Sequence, residues 1–186
     1  MRRFIILLAF IPVVITPCAI ADPYVGIGIG SADYKVDFTS LGGGNIEESG
    51  TGTKFYGGYS FNKYYAAEAA YYNFAEASVG AVETSPNSGV FTSAAASMKG
   101  VGAYAVGMYP VSKKFNLMAK LGLLRWDADI SVNANAGSNS GTDAAYALAA
   151  SYAFTKELLV TAEWESFNTD NPEVTMLSLG FRVNFR

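Results

Sequence analysis

Leu177-Ser178-Leu179-Gly180-Phe181-Arg182-Val183-Asn184-Phe185 alternates an apolar residue with a small or polar one at every step. A period of two marks a β-strand with one apolar face. The same pattern recurs upstream. Leu158, Val160, Ala162 and Trp164 alternate with Leu159, Thr161, Glu163 and Glu165. Tyr146, Leu148, Ala150, Tyr152 and Phe154 alternate with small residues, and Val25, Ile27 and Ile29 alternate with Gly26, Gly28 and Gly30. Eight strands are expected, at about 23–36, 52–61, 65–74, 97–109, 115–129, 142–154, 158–167 and 174–185.

The connections alternate in length. Long polar ones are expected at 37–51, 75–96, 130–141 and 168–173, and short ones at 62–64, 110–114 and 155–157. Long and short loops then lie at opposite ends of an up-and-down antiparallel sheet, the layout of an outer-membrane barrel. Several strands reach the ~10 residues needed to cross hydrocarbon at a tilt. Aromatics at strand ends (Tyr59, Phe61, Tyr109, Phe115, Tyr152, Phe154, Phe185) fall near the short turns, where an interfacial girdle belongs. A soluble barrel would turn its apolar face inward and coat its outside with charge. The second face here is too rich in glycine and alanine for that. The expected fold is all-β: an eight-stranded antiparallel up-and-down transmembrane β-barrel.

Composition agrees. Hydrophobic residues make up 51% of the chain and charged ones 16%, against about 25% charged in soluble domains. With 14% aromatics the chain is not disordered. Lys plus Arg is 13 against 16 acids, with no basic stripe, so nucleic acid is not an expected partner. The chain has no histidine. That removes Ser–His–Asp and Cys–His catalysis and imidazole metal sites together.

The first 21 residues read as a cleaved export signal. Arg2 and Arg3 precede an apolar run at 4–15, and Ala19-Ile20-Ala21 is a signal-peptidase pattern. The run is shorter than the ~20 residues of a spanning helix. Acylation of Cys18 is not expected, because Ile15, Thr16 and Pro17 precede it rather than small residues. Residues 22–186 are then the barrel, without a cysteine.

Certain motifs resemble OmpA-type outer-membrane barrels. Residues 57–64 (Gly-Gly-Tyr-Ser-Phe-Asn-Lys-Tyr), continuing through Glu68, are similar to that family's second hairpin. Tyr109-Pro110, then Lys120-Leu121-Gly122 and Trp126-Asp127-Ala128-Asp129, resemble its fourth turn region and fifth strand. Met176-Leu177-Ser178-Leu179-Gly180 resembles its last strand. The resemblance implies a polar barrel interior, an ionic gate position at Glu68, and a Gram-negative outer-membrane location. The family's gate pairing does not carry over. Its basic residue on the seventh strand is Thr161 here, its basic residue on the fourth is Val106, and its acidic residue on the sixth is Ser151. The chain ends at Arg186, so the periplasmic peptidoglycan-binding domain that often follows such barrels is not expected. The terminal pattern with Gly180, Val183 and Phe185 resembles the signal read by the outer-membrane insertion machinery.

No catalytic residue, metal site or cofactor is expected. Glu163 and Glu165 lie two apart on one inward face and fit an ion network better than acid–base work. The acidic residues Glu47, Glu48, Glu76, Glu83, Asp129 and Asp143 are scattered and fit solvated loop charge. Gly42-Gly43-Gly44 lacks the strand–helix context of a phosphate cradle. Two function classes remain: a monomeric structural or surface-interaction barrel whose four external loops meet lipopolysaccharide or host molecules, and a narrow passive pore. In the register set by the outward apolar residues, Lys54, Glu68, Lys120, Glu163, Glu165 and Arg182 all point inward. The six are expected to cluster near mid-barrel as a neutral set, three positive against three negative, with pairing between Glu163 and Arg182 and between Glu68 and Lys120 or Lys54, as a closed charged plug. Arg125 is expected on the lipid side as a candidate lipopolysaccharide contact; a one-residue shift would turn it inward.

Overall fold

Strands whose outward residues are apolar need lipid on one side and a closed hydrogen-bond ladder around them, because the bilayer core satisfies no backbone group. The computed structural model describes residues 22–37, 45–83, 91–132, 135–168 and 173–185. The signal segment 1–21 lies outside the described residues. The described chain forms eight strands: β1 Asp22–Asp37, β2 Asn45–Ser60, β3 Tyr65–Glu83, β4 Phe91–Pro110, β5 Phe115–Val132, β6 Asn135–Ala153, β7 Leu158–Phe167 and β8 Glu173–Asn184. Each pairs antiparallel with the next, and β8 returns to β1 to close the barrel. Closure leaves no free edge.

The faces sort as the alternation predicts. Leu121 and Leu179, pointing outward, are 70% and 62% exposed, whereas Lys54 and Glu165, pointing inward, are 1% exposed. That inverts a soluble protein and fits a wall with lipid outside. Tyr59–Phe61 and Tyr152–Phe154 make edge-to-face pairs by the short turns, while Tyr146 and Trp164 pair higher up on the outer face. Most of the aromatics expected in the lower girdle are exposed there; Phe115 is half-buried.

The strands at the long-loop end run further than the sequence suggests. β2 starts at Asn45 rather than 52, β3 runs to Glu83 rather than 74, β4 starts at Phe91 rather than 97, and β6 starts at Asn135 rather than 142. The apolar alternation of the sequence fades in these stretches. The backbone ladder continues regardless, with irregularities between β3 and β4 at Phe74/Ala77 and Val79/Val82. A closed ladder resists SDS until heated. Unboiled protein is expected to migrate apart from boiled protein on SDS gels; identical migration, with solubility in the absence of detergent, would contradict the barrel.

Candidate functional site

Inward residues come from every second position, and an eight-stranded barrel is just wide enough for side chains to meet across it. Lys54 on β2, Glu68 on β3, Lys120 on β5, and Glu163 and Glu165 on β7 project into the middle of the lumen, each at most 6% exposed. They form one alternating chain of charge. Glu165 Oε2 accepts from Lys54 Nζ at 2.9 Å, and Lys54 Nζ lies 2.8 Å from Glu163 Oε2. Glu163 Oε1 lies 2.6 Å from Lys120 Nζ, which donates to Glu68 Oε1 at 2.6 Å. Buried charge is tolerated only when paired and hydrogen-bonded. Here Glu163 sits between two lysines and Lys120 between two glutamates.

Tyrosines complete the chain at both ends. Tyr72 Oη donates to Glu165 Oε1 at 2.7 Å and is 2.9 Å from Tyr104 Oη. Tyr24 Oη donates to Glu68 Oε2 at 3.0 Å. The Tyr56 ring lies under both ammonium groups, 5.4 Å from Lys54 Nζ and 5.2 Å from Lys120 Nζ. Glycines make room for these rings against the wall. A Cβ on Gly58 would collide with the Tyr24 ring and lie 2.6 Å from the Ala67 carbonyl oxygen.

Arg182 stands apart from the chain. The expected Glu163–Arg182 pair is not formed, because the β7–β8 register sets Glu163 opposite Ser178 and Arg182 opposite Leu159. Adjacent strands do not imply equal height. Four residues of offset along a strand span roughly 13 Å, beyond the reach of an ion pair. Arg182 lies instead toward the short turns, 3.7 Å over the Tyr24 ring, with its Nε donating to Asn184 Oδ1 at 2.8 Å. It helps line a polar vestibule of about 280 Å³ at that end, with Met118 and Leu159 also in its wall. Glu68 does meet Lys120, one of the two partners expected for it.

Above the charges the lumen turns apolar, which the sequence reading missed. Tyr72 and Phe74 stack at 5.4 Å, and Phe167, from the opposite wall, packs edge-on to both at 5.2 and 5.3 Å. Met98, Leu124, Val174 and Met176 are buried in the same cluster. The signal was available: Phe167 follows Glu165 by two residues, and Tyr72 and Phe74 follow Glu68 by four and six, so all share the inward parity. The implied polar interior therefore describes only the lower and middle lumen. Thr161, Val106 and Ser151 also face inward and are buried. At Thr161 the neighbour is Tyr56, whose hydroxyl lies 3.4 Å from its Oγ1.

On the outside, Arg125 is exposed while Leu124 and Trp126 on either side are buried, which decides its direction. It sits opposite Val101, and exposed Lys99 is two residues further along β4, opposite Asp127. Val183 and Phe185 of the terminal strand also face outward, and Gly180 packs against β1, where a Cβ would meet the Ile27 carbonyl oxygen. Among the described residues no group of His, Cys, Asp and Glu side chains is placed to hold a metal ion. No helix among them is long and apolar enough to cross a membrane.

The model of the outer membrane protein beta-barrel domain matches residues 6–185. The chain belongs to this family. It is thus an outer-membrane protein that crosses the bilayer with strands. No curated protein matches the chain in sequence. Solved barrels do match in shape. The surface protein A of Neisseria is 18% identical with a TM-score of 0.66, covering 89% of this chain and 99% of its own. The attachment invasion locus protein of Yersinia pestis, solved with the heparin analogue sucrose octasulfate, is 21% identical with a TM-score of 0.59, covering 88% and 99%. The N-terminal barrel domain of Pseudomonas aeruginosa OprF is 14% identical with a TM-score of 0.57, covering 87% and 97%. At these identities the likeness is one of fold.

Proposed function

We propose that this barrel anchors external loops for contact at the cell surface, with lipopolysaccharide or host molecules, and that its lumen is closed as a plug. The observation that carries the reading is the ion chain of Lys54, Glu68, Lys120, Glu163 and Glu165 spanning the lumen beneath an aromatic layer. A plug frees the loops from serving a pore. The carboxylates of Glu163 and Glu165 are engaged by lysines and Tyr72, so the reading is non-enzymatic and needs no cofactor. The barrel acts as a monomer, and the outward Val183 and Phe185 suit recognition of its last strand by the insertion machinery. The polar vestibule supports the second reading, a narrow conduit, but Arg182, Met118 and Leu159 form its wall below the ion chain.

Deleting residues 38–44 and 84–90, which fall within the long connections expected from the sequence, tests the first reading. Bacteria displaying the full barrel should bind host cells, and those displaying the shortened barrel should not, with heat-shifted migration on gels retained in both. Unchanged adhesion, together with rapid solute flux through the purified protein, would favour the conduit.

Arg125 and its diagonal neighbour Lys99 offer two cations at the outer edge of the apolar band. A charge costs about 2–4 kcal/mol at the bilayer midplane but only about 0–1 near the interface. Lipopolysaccharide phosphates there would accept the planar guanidinium donors of Arg125. Arg125→Leu is expected to lower the lipopolysaccharide that co-purifies with the barrel; unchanged lipid content would remove this contact from the account.

A further inference from the structure

The three short turns repeat one design. Residues 61–64 read Phe-Asn-Lys-Tyr, 111–114 read Val-Ser-Lys-Lys, and 154–157 read Phe-Thr-Lys-Glu. The first residue closes each turn through its backbone N–H: Phe61 to the Tyr65 carbonyl, Val111 to that of Phe115 and Phe154 to that of Leu158, each at 3.0 Å. The second residue caps the turn with its side-chain oxygen. Asn62 Oδ1 accepts from the Tyr65 N–H at 3.0 Å, Ser112 Oγ from Phe115 at 3.1 Å, and Thr155 Oγ1 from Leu158 at 3.0 Å.

The cap and the closing bonds explain the second position, but they ask nothing of the first and third side chains. Turn chemistry favours Gly, Asn, Asp and Pro, whereas the third position is lysine every time: Lys63, Lys113 and Lys156. The first position is apolar every time, with Phe61 47%, Val111 52% and Phe154 61% exposed. Because the turns share one geometry, they present the same pair of an apolar residue and an ammonium group at three places on one rim. That rim continues the aromatic girdle, through the Tyr59–Phe61 and Tyr152–Phe154 pairs. Lys63 also lies 4.9 Å over the Tyr64 ring. Among the described residues the acids at this end are Asp22 and Glu157, against Lys63, Lys113, Lys114 and Lys156.

We infer that the short-turn rim is a binding surface for anionic phospholipids of the periplasmic leaflet. Each turn sets its apolar residue in the interfacial girdle and holds its lysine at the level of the lipid phosphates. Aromatic residues mark the headgroup level of a bilayer, and lysines beside it reach outward to the phosphates. The surface is separate from the external loops and from the plug, so it stands whatever becomes of the proposed surface role.

Electron spin resonance of spin-labelled lipids at the barrel surface tests it, with the folded protein in vesicles of equal parts phosphatidylglycerol and phosphatidylcholine. A lysine near an anionic surface contributes about 1 kcal/mol, or roughly five-fold in affinity. The wild type should prefer phosphatidylglycerol by about that factor at the turn sites at low salt. The preference should vanish in K63Q/K113Q/K156Q and at high salt, and persist in K63R/K113R/K156R. Heat-shifted migration checks that the variants fold, and Lys156→Gln alone should remove about a third of the excess anionic lipid. Equal affinity for both lipids in the wild type, or a preference that survives the triple glutamine variant, would overturn the inference. So would lysine-dependent sedimentation with peptidoglycan without any lipid preference.

Discussion

Lys120→Ala is expected to lower the stability of the barrel by about 3–5 kcal/mol, the usual cost of removing one partner of a buried ion pair. Lys120 contacts Glu68 and Glu163, both at 2.6 Å. Without it Glu163 keeps Lys54, but Glu68 keeps only the Tyr24 hydroxyl. The unpaired carboxylate must then be protonated or hydrated, and water drawn to it opens the lumen. Removing both charges separates this cost from simple loss of packing. Lys120→Met combined with Glu68→Gln should cost clearly less than the sum of the two single changes, because an uncompensated buried charge is dearer than a missing pair. Thermal unfolding in detergent micelles measures this. Additive losses would mean that the two groups do not act on each other.

Phe167→Ala should cost a similar amount, about 3–5 kcal/mol, for a different reason. The Phe167 ring bridges the lumen to Tyr72 and Phe74 on the opposite wall, and deleting it leaves a cavity among apolar side chains. Apolar cavities stay dry. The ion chain below is untouched, so Phe167→Ala should lower the unfolding temperature with little gain in conductance. A large gain would place the barrier to flow in the aromatic layer rather than among the charges.

The membrane-crossing part of the fold was legible because lipid imposes one face and the ladder imposes period two. Leu177 to Phe185 alone carries both signals. Where lipid stops, the signal stops, and so β3 continues to Glu83 through residues that read as loop. The inward direction of Lys54, Glu68, Lys120, Glu163, Glu165 and Arg182 was legible for the same reason, through parity alone. Height was not. Strand tilt and register decide which inward groups are level, and they separate Arg182 from Glu163 although β7 and β8 are neighbours. Nor do parity rules rank the partners across the lumen. Alternation likewise does not say which carboxylate an inward tyrosine reaches, as Tyr24 reaches Glu68 and Tyr72 reaches Glu165.

Single-channel recording in planar bilayers tests the plug most directly. The wild-type barrel should conduct little, and Lys120→Ala or Glu163→Ala should raise the conductance while lowering the unfolding temperature. A large, steady conductance in the wild type that neither change alters would show an open lumen, and the plug would have to be abandoned.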